Sequence, residues 1–98
     1  MVKKLSLPQI ITFDWDDGNL EHIKKHNVEY LECEEIFYNE PIFFYDEKHS
    51  TQEKRFLAYG ASDEKRLLTI IFTIRNNKIR IVSARDQNKN EREVYSRK

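Results

Sequence analysis

The chain has a single cysteine, Cys33, so no disulfide can close within its 98 residues. That usage fits a reducing compartment, and a cytoplasmic location is expected. Cys33 itself reads as a small buried hydrophobe on a helix. No apolar run approaches the roughly 20 residues of a membrane span, and the N-terminus has no signal-peptide core. Zinc-type Cys/His spacing, a P-loop and a GxGxxG fingerprint are all missing, and there is no repeat or low-complexity segment. A surplus of one charge sign is missing too, with 17 basic and 17 acidic residues. That balance argues against a protein that coats nucleic acid non-specifically. It leaves room for a local basic site.

The charges are unevenly placed. Residues 29 to 40 carry five acids (Glu29, Glu32, Glu34, Glu35, Glu40) and no base, whereas residues 75 to 98 carry eight Lys/Arg that outnumber the acids there. The pattern predicts a basic working face and an acidic back, or an acidic face for a partner. Within the basic third, Arg75, Arg80 and Arg85 fall on two strand-like segments around Asn76-Asn77. Arginine is always charged, and its planar fork of donors matches phosphate oxygens. An RNA or other anionic ligand is the first question these residues raise.

The length allows one domain, residues 1–98, with a modest core built largely from six Phe, five Tyr and one Trp. Residues 1 to 8 read as a loose lead-in, and Ile10 to Trp15 as a strand. Asp16 to Asn19 forms a turn that starts a helix over Leu20–His26, with Asn27 suited to a left-handed end. Glu29–Asn39 reads as a second helix with Tyr30, Cys33, Ile36 and Phe37 as its apolar stripe and Glu32, Glu34 and Glu35 in water. Pro41 closes it. Strands follow at Ile42–Tyr45 and Arg55–Tyr59, around a polar loop holding His49-Ser50. Leu67–Arg75 and Lys78–Arg85 form a hairpin. Asn88 with Glu91 three residues on reads as a capping box opening a C-terminal helix. The order β-α-α-β-β-β-β-α predicts an α+β fold with a mainly antiparallel sheet.

With Asn76-Asn77 as a two-residue loop, Arg75 pairs with Lys78, Thr73 with Arg80 and Ile71 with Val82. These share a mixed face, while Leu68, Ile70, Phe72, Ile74, Ile79 and Ile81 line the core face. By this register Arg85 lies at the end of the apolar face, opposite Leu68. It either snorkels past the sheet edge or is re-aimed by a bulge.

An ordered set of residues resembles the BrnT family, the ribonuclease half of bacterial type II toxin–antitoxin pairs. It comprises Phe13-Asp14-Trp15-Asp16 with Asn19 and His22-Ile23; Lys25-His26-Asn27-Val28; Glu34-Glu35-Ile36-Phe37 with Pro41; and His49-Ser50 with Glu53 and Arg55. It continues through Tyr59-Gly60, Arg66-Leu67-Leu68, Phe72-Thr73 with Arg75, and Ile79-Arg80-Ile81, to Ser83-Ala84-Arg85, Glu91-Arg92 and Tyr95. Asn27 stands where the family often has glycine. The resemblance implies a RelE-like fold with two N-terminal helices and a short C-terminal one. It implies an endoribonuclease that inhibits growth without a metal or other cofactor. It also implies hetero-oligomeric neutralisation by a BrnA-like antitoxin with a ribbon-helix-helix DNA-binding domain, through which the pair would reach operator DNA. The alternative is a catalytically inactive homologue that serves mainly as antitoxin-binding partner in operon autoregulation.

Metal-free RNA cleavage uses the 2′-OH as nucleophile. It needs a base for that proton, cationic donors for the in-line phosphorane and an acid for the 5′-oxygen. The candidate set is Arg55, Arg75 and Arg85 around the scissile phosphate, Glu53 or Lys25 as base, and His26 or His49 as acid. Arg80 would contact a neighbouring phosphate, and His49 and Tyr95 are RNA-binding candidates. Each has a plainer reading. Lys25-His26 ends a helix, where cations suit the dipole. His49-Ser50 can be a simple turn, and Glu53 and Arg55 can pair across the sheet. Tyr95 and Trp15 can be packing residues, and Glu91 and Arg92 ordinary helix charges. Phe43, Phe44 and Tyr45, near the acidic helix, are candidates for apolar surface meant for the antitoxin.

Overall fold

The computed structural model describes residues 12–97 and, for the backbone alone, residues 3–5. The sheet has five antiparallel strands in chain order: β1 (Lys3–Leu5), β2 (Ile42–Tyr45), β3 (Phe56–Ala61), β4 (Leu67–Arg75) and β5 (Lys78–Asp86). Among the described residues three α-helices accompany it: α1 (Asp17–Lys24), α2 (Tyr30–Tyr38) and α3 (Lys89–Ser96). The α+β class follows as expected.

The N-terminal expectations need correction. Part of the supposed lead-in is β1, which pairs with β2. The strand expected over Ile10–Trp15 begins outside the described residues. From Thr12 onward it amounts to one parallel bridge, Phe13 to Ile79, with Ile79 N–H donating to Thr12 C=O at 2.9 Å and Asp14 N–H to Ile79 C=O at 2.8 Å. Asp16 ends this stretch by capping α1 reciprocally with Asn19.

Alternation divides the sheet into two faces. Ala58, Leu68, Ile70, Phe72, Ile79, Ile81 and Ala84 join Ile23, Val28, Cys33 and Ile36 of the α1–α2 segment in the main core. Phe37 meets Phe72 edge-on at 5.1 Å between centroids. Cys33 is fully buried, and burial pushes its thiol up to about 12. Phe43 packs on this core, Phe44 is buried and Tyr45 lies against Phe56, so none of the three is the free apolar surface expected of them. Among the described residues, the large exposed apolar side chains are instead Tyr30, Leu31, Tyr38 and Val94. On the other face, α3 covers a smaller cluster of Ile42, Phe44, Tyr59, Leu57 and Tyr95.

Gly60 lets α2 approach the sheet. A Cβ there would sit 2.6 Å from Ile36 Cγ2 and 3.3 Å from Pro41 Cβ. Gly60→Ala is therefore expected to destabilise the fold by about 1–3 kcal/mol, read from the urea midpoint at unchanged slope.

Candidate active site

The hairpin that carries the arginines turns at Asn76 and Asn77, both left-handed (φ 51° and 61°), as a two-residue primed turn requires. Arg75 pairs with Lys78 and Thr73 with Arg80, as the sequence predicts. The expected pairing of Ile71 with Val82 does not form. The register shifts between Ile71 and Phe72: Phe72 opposes Ile81 while Ile71 opposes Ser83, leaving Val82 as an extra, bulged residue. Everything beyond the bulge changes face. Asp86 now opposes Leu68, and Arg85 opposes Thr69. Arg85 thus joins Arg75 and Arg80 on the non-core face, and the bulge is what re-aims it.

Each of these arginines meets carboxylates from another segment. Arg75 makes a two-pronged pair with Glu53, Nε to Oε2 at 2.6 Å and Nη2 to Oε1 at 2.9 Å. Arg80 lies 3.0 Å from Asp16 and 3.5 Å from Asp14. Arg85 forks onto Glu91, Nη1 to Oε1 at 2.7 Å and Nη2 to Oε2 at 2.9 Å. Hydrogen bonding from Arg75 holds the Glu53 carboxyl below its usual range. Burial pushes Glu91 up, but the Arg85 fork, the Asn88 N–H and the Thr69 hydroxyl outweigh it and leave the group lowered. The backbone N–H of Asn19 lowers Asp16, and Arg66 lowers Asp86.

These depressed folded-state values carry a sign. A carboxyl that is more acidic when folded stabilises the fold above its unfolded pKa and loses that contribution as pH falls toward the folded value. The melting temperature is therefore expected to fall from about pH 4.5 downward. Calorimetry should show a weaker fall in Glu91→Gln.

A family model described as the ribonuclease toxin, BrnT, of type II toxin–antitoxin systems matches residues 15–91. The chain belongs to this BrnT family. No curated protein and no solved structure gives a match. A type II toxin family brings with it an antitoxin partner and an RNA substrate as classes.

In this BrnT-family chain one loop gathers several of the expected residues. Asp46 N–H donates to Arg55 C=O at 2.9 Å, and Ser50 Oγ accepts from Arg55 N–H at 2.9 Å while donating to Asp46 C=O at 2.6 Å. The loop is thereby pinned at the start of β3, and Ser50 is a structural residue. His49 sits in a short 3₁₀ turn (Glu47–His49), largely exposed, with Nδ1 3.0 Å from Asp46 Oδ2. Glu53 leaves the same loop to reach Arg75. Arg55 lies one step beyond the Phe56–Phe72 pair, which puts it next to Thr73 and in the row of Arg80. Its guanidinium makes no hydrogen bond or ion pair among the described residues.

Other candidates lie elsewhere. Arg85 is six residues of β4 away from Arg75's row, about 20 Å at 3.3 Å per residue. Lys25 caps α1 and His26 follows it, both exposed on the helical side of the sheet. The His26 and Asn27 carbonyls accept from Arg66, whose other bonds go to Glu32 and to Asp86 at the far end of β5. Arg66 thus ties the α1–α2 turn to the hairpin, and Lys25 and His26 lie remote from Glu53 and Arg75. Tyr95 is half-buried against the Ile42–Phe44–Tyr59 cluster. Trp15 packs on the core and donates to Glu34 at 2.9 Å.

Glu91 was expected to be an ordinary exposed helix charge, and it is instead buried. It accepts from Arg85, from the Thr69 hydroxyl at 2.9 Å and from Asn88 N–H at 2.9 Å. The capping-box pattern signals only the last of these. Among the described residues, no three His, Cys, Asp or Glu side chains gather as a metal site would need.

Proposed function

We propose that the end of the arginine face formed by Glu53, Arg55, Arg75 and Arg80, with His49 on the same loop, is the RNA-cleaving centre of a metal-independent endoribonuclease toxin. The observation that carries this reading is the Glu53–Arg75 fork beside the unpaired Arg55. Arg55 offers a phosphate its full set of donors, and Arg75 keeps one prong, Nη1, free of Glu53. While Arg75 stays on Glu53, the carboxylate is ionised but a weak base. As Arg75 turns toward the charge developing on a phosphorane, Glu53 loses its strongest stabilising partner and becomes more basic. It can then accept the 2′-OH proton as that oxygen attacks phosphorus. The 5′-oxygen leaves with a proton from His49, whose ring Asp46 orients through Nδ1, and a 2′,3′-cyclic phosphate remains. Arg80 holds the next phosphate. Arg85 anchors α3 through Glu91, and Lys25, His26 and Tyr95 lie outside the centre.

The antitoxin of this reading is a BrnA-like ribbon-helix-helix protein, and the complex acts on its operator through that domain. The second reading, an inactive homologue that binds antitoxin, draws on one observation: Arg75, Arg80 and Arg85 are all neutralised by carboxylates of the same chain. Induced expression without antitoxin separates the two. Growth arrest with new 2′,3′-cyclic phosphate ends in cellular RNA is expected. Normal growth at normal levels of folded protein favours the second reading.

A further inference from the structure

Glu53 and Arg55 flank Lys54, and the peptide that joins Lys54 to Arg55 sets the direction of both side chains. It lies past the end of the β3–β4 ladder, whose terminal pair on this side is Phe56 with Phe72. The regular pairing of the sheet therefore does not fix it. Two hydroxyls hold it instead. Its N–H, on Arg55, donates to Ser50 Oγ at 2.9 Å. Its C=O, on Lys54, accepts from Thr73 Oγ1 at 2.8 Å. Both polar groups of this rigid plane are bound, so it cannot turn without breaking them. Thr73 is 1% exposed and stands on the arginine side of β4, opposite Arg80 and two residues before Arg75. A buried threonine hydroxyl needs a partner wherever it lies. What sets this one apart is the acceptor, a carbonyl between the two residues whose aim the cleavage depends on. The Glu53 carboxyl feels it too: Arg75 is the main cause that holds this group below its usual range, and the Thr73 hydroxyl adds to it.

We propose that Thr73 is a positioning residue of the RNA-cleaving centre, its buried hydroxyl locking the Lys54–Arg55 peptide so that Glu53 meets Arg75 and Arg55 meets the phosphate. This rests on the ribonuclease reading of the centre and adds the group that aims its base and one of its cations. Thr73 is uncharged and acts through the backbone, not on the substrate. Its leverage comes from geometry, since a displacement of about 1 Å in a reacting group can cost about 100-fold in rate. A hydroxyl on a paired strand is a firmer anchor for such a peptide than the loop itself.

Two variants of the whole protein, assayed on labelled RNA well below their melting temperatures, separate the hydroxyl from the shape. Thr73→Val keeps the branched side chain and its strand preference but has no hydroxyl. Thr73→Ser keeps the hydroxyl and loses a buried methyl. Both are expected to melt below the wild type, the first because Lys54 C=O loses its partner and the second because the core loses contacts. A role in stability alone would leave their rates alike. Instead, Thr73→Val is expected to lose about 10–100-fold in kcat, with a smaller change in KM. The acidic limb of its pH–kcat profile should move to higher pH, as Glu53 loses a group that lowers its pKa. Thr73→Ser should recover most of the rate and the wild-type limb. Ser50→Ala frees the same peptide from its other side, in a loop outside the core, and is expected to lose about 10-fold in kcat. It decides the matter should Thr73→Val not fold. Wild-type kcat and acidic limb in folded Thr73→Val, an equal loss of kcat in Thr73→Ser, or wild-type kcat in folded Ser50→Ala overturns the proposal and leaves the ribonuclease reading standing. Folded wild-type protein that leaves RNA intact overturns both.

Discussion

Arg75→Ala is expected to lower RNA cleavage by about 10²–10³-fold, the usual cost of removing one donor aimed at developing negative charge. Its melting temperature should change little. The Arg75–Glu53 pair lies at the exposed end of the sheet, where solvent screens the attraction and the entropy of holding two long side chains offsets it. Activity and stability therefore separate at this residue. Glu53→Gln discriminates further. It keeps the shape and one acceptor but cannot take a proton, so the acidic limb of the pH–rate profile should vanish along with most of the rate. Arg85→Ala serves as the contrast. The same chemical change, about 20 Å along the strand, should act on stability first.

Glu91→Ala carries the largest expected effect on stability. Glu91 is 8% exposed, and its carboxylate accepts from Arg85, from Thr69 and from Asn88 N–H at the start of α3 at once. Its removal strands a half-buried guanidinium and a buried hydroxyl, and undoes one side of a capping box. Breaking a buried pair costs about 3–5 kcal/mol. Arg85 retains 36% side-chain exposure, so solvent screening reduces this to about 2–3 kcal/mol. For a domain of this size that is a loss of about 10–20 °C in melting temperature. Double substitution to Glu91→Leu with Arg85→Met should recover much of it, since the unpaired charge goes with its partner.

The local signals in the sequence were strong where backbone chemistry decides. Asp16 and Asn88 mark the starts of α1 and α3, Asn27 a left-handed helix end, and Asn76-Asn77 the hairpin turn with its first pairs. A bulge was one of two ways left open for Arg85, but its position at Val82 was not legible. Val82 is as good a strand residue as Ile81, and nothing local says whether it or Ser83 opposes Ile71. The register is visible only in the pairing itself, with Phe72 opposite Ile81 and Thr69 opposite Arg85. The carboxylate partners were hidden for a related reason. Asp14, Asp16, Glu53 and Glu91 are each far in sequence from, or across an element boundary to, the arginine they meet. Lys25 was one alternative for the base and His26 one for the acid, and the fold holds both on the helical side, where the His26 carbonyl accepts from Arg66. The Phe43–Tyr45 run looked like surface in excess. It is instead shared between two cores, because alternate side chains of β2 serve opposite faces of the sheet.

The central claim is that this arginine face cuts RNA without a metal ion. The most direct measurement incubates the purified protein, freed of antitoxin, with end-labelled RNA in excess EDTA and examines the new 3′ ends. The account predicts cleavage to 2′,3′-cyclic phosphates, retained in EDTA and lost in folded Arg75→Ala. Intact RNA after incubation with folded wild-type protein, or cleavage undiminished in Arg75→Ala, would contradict it.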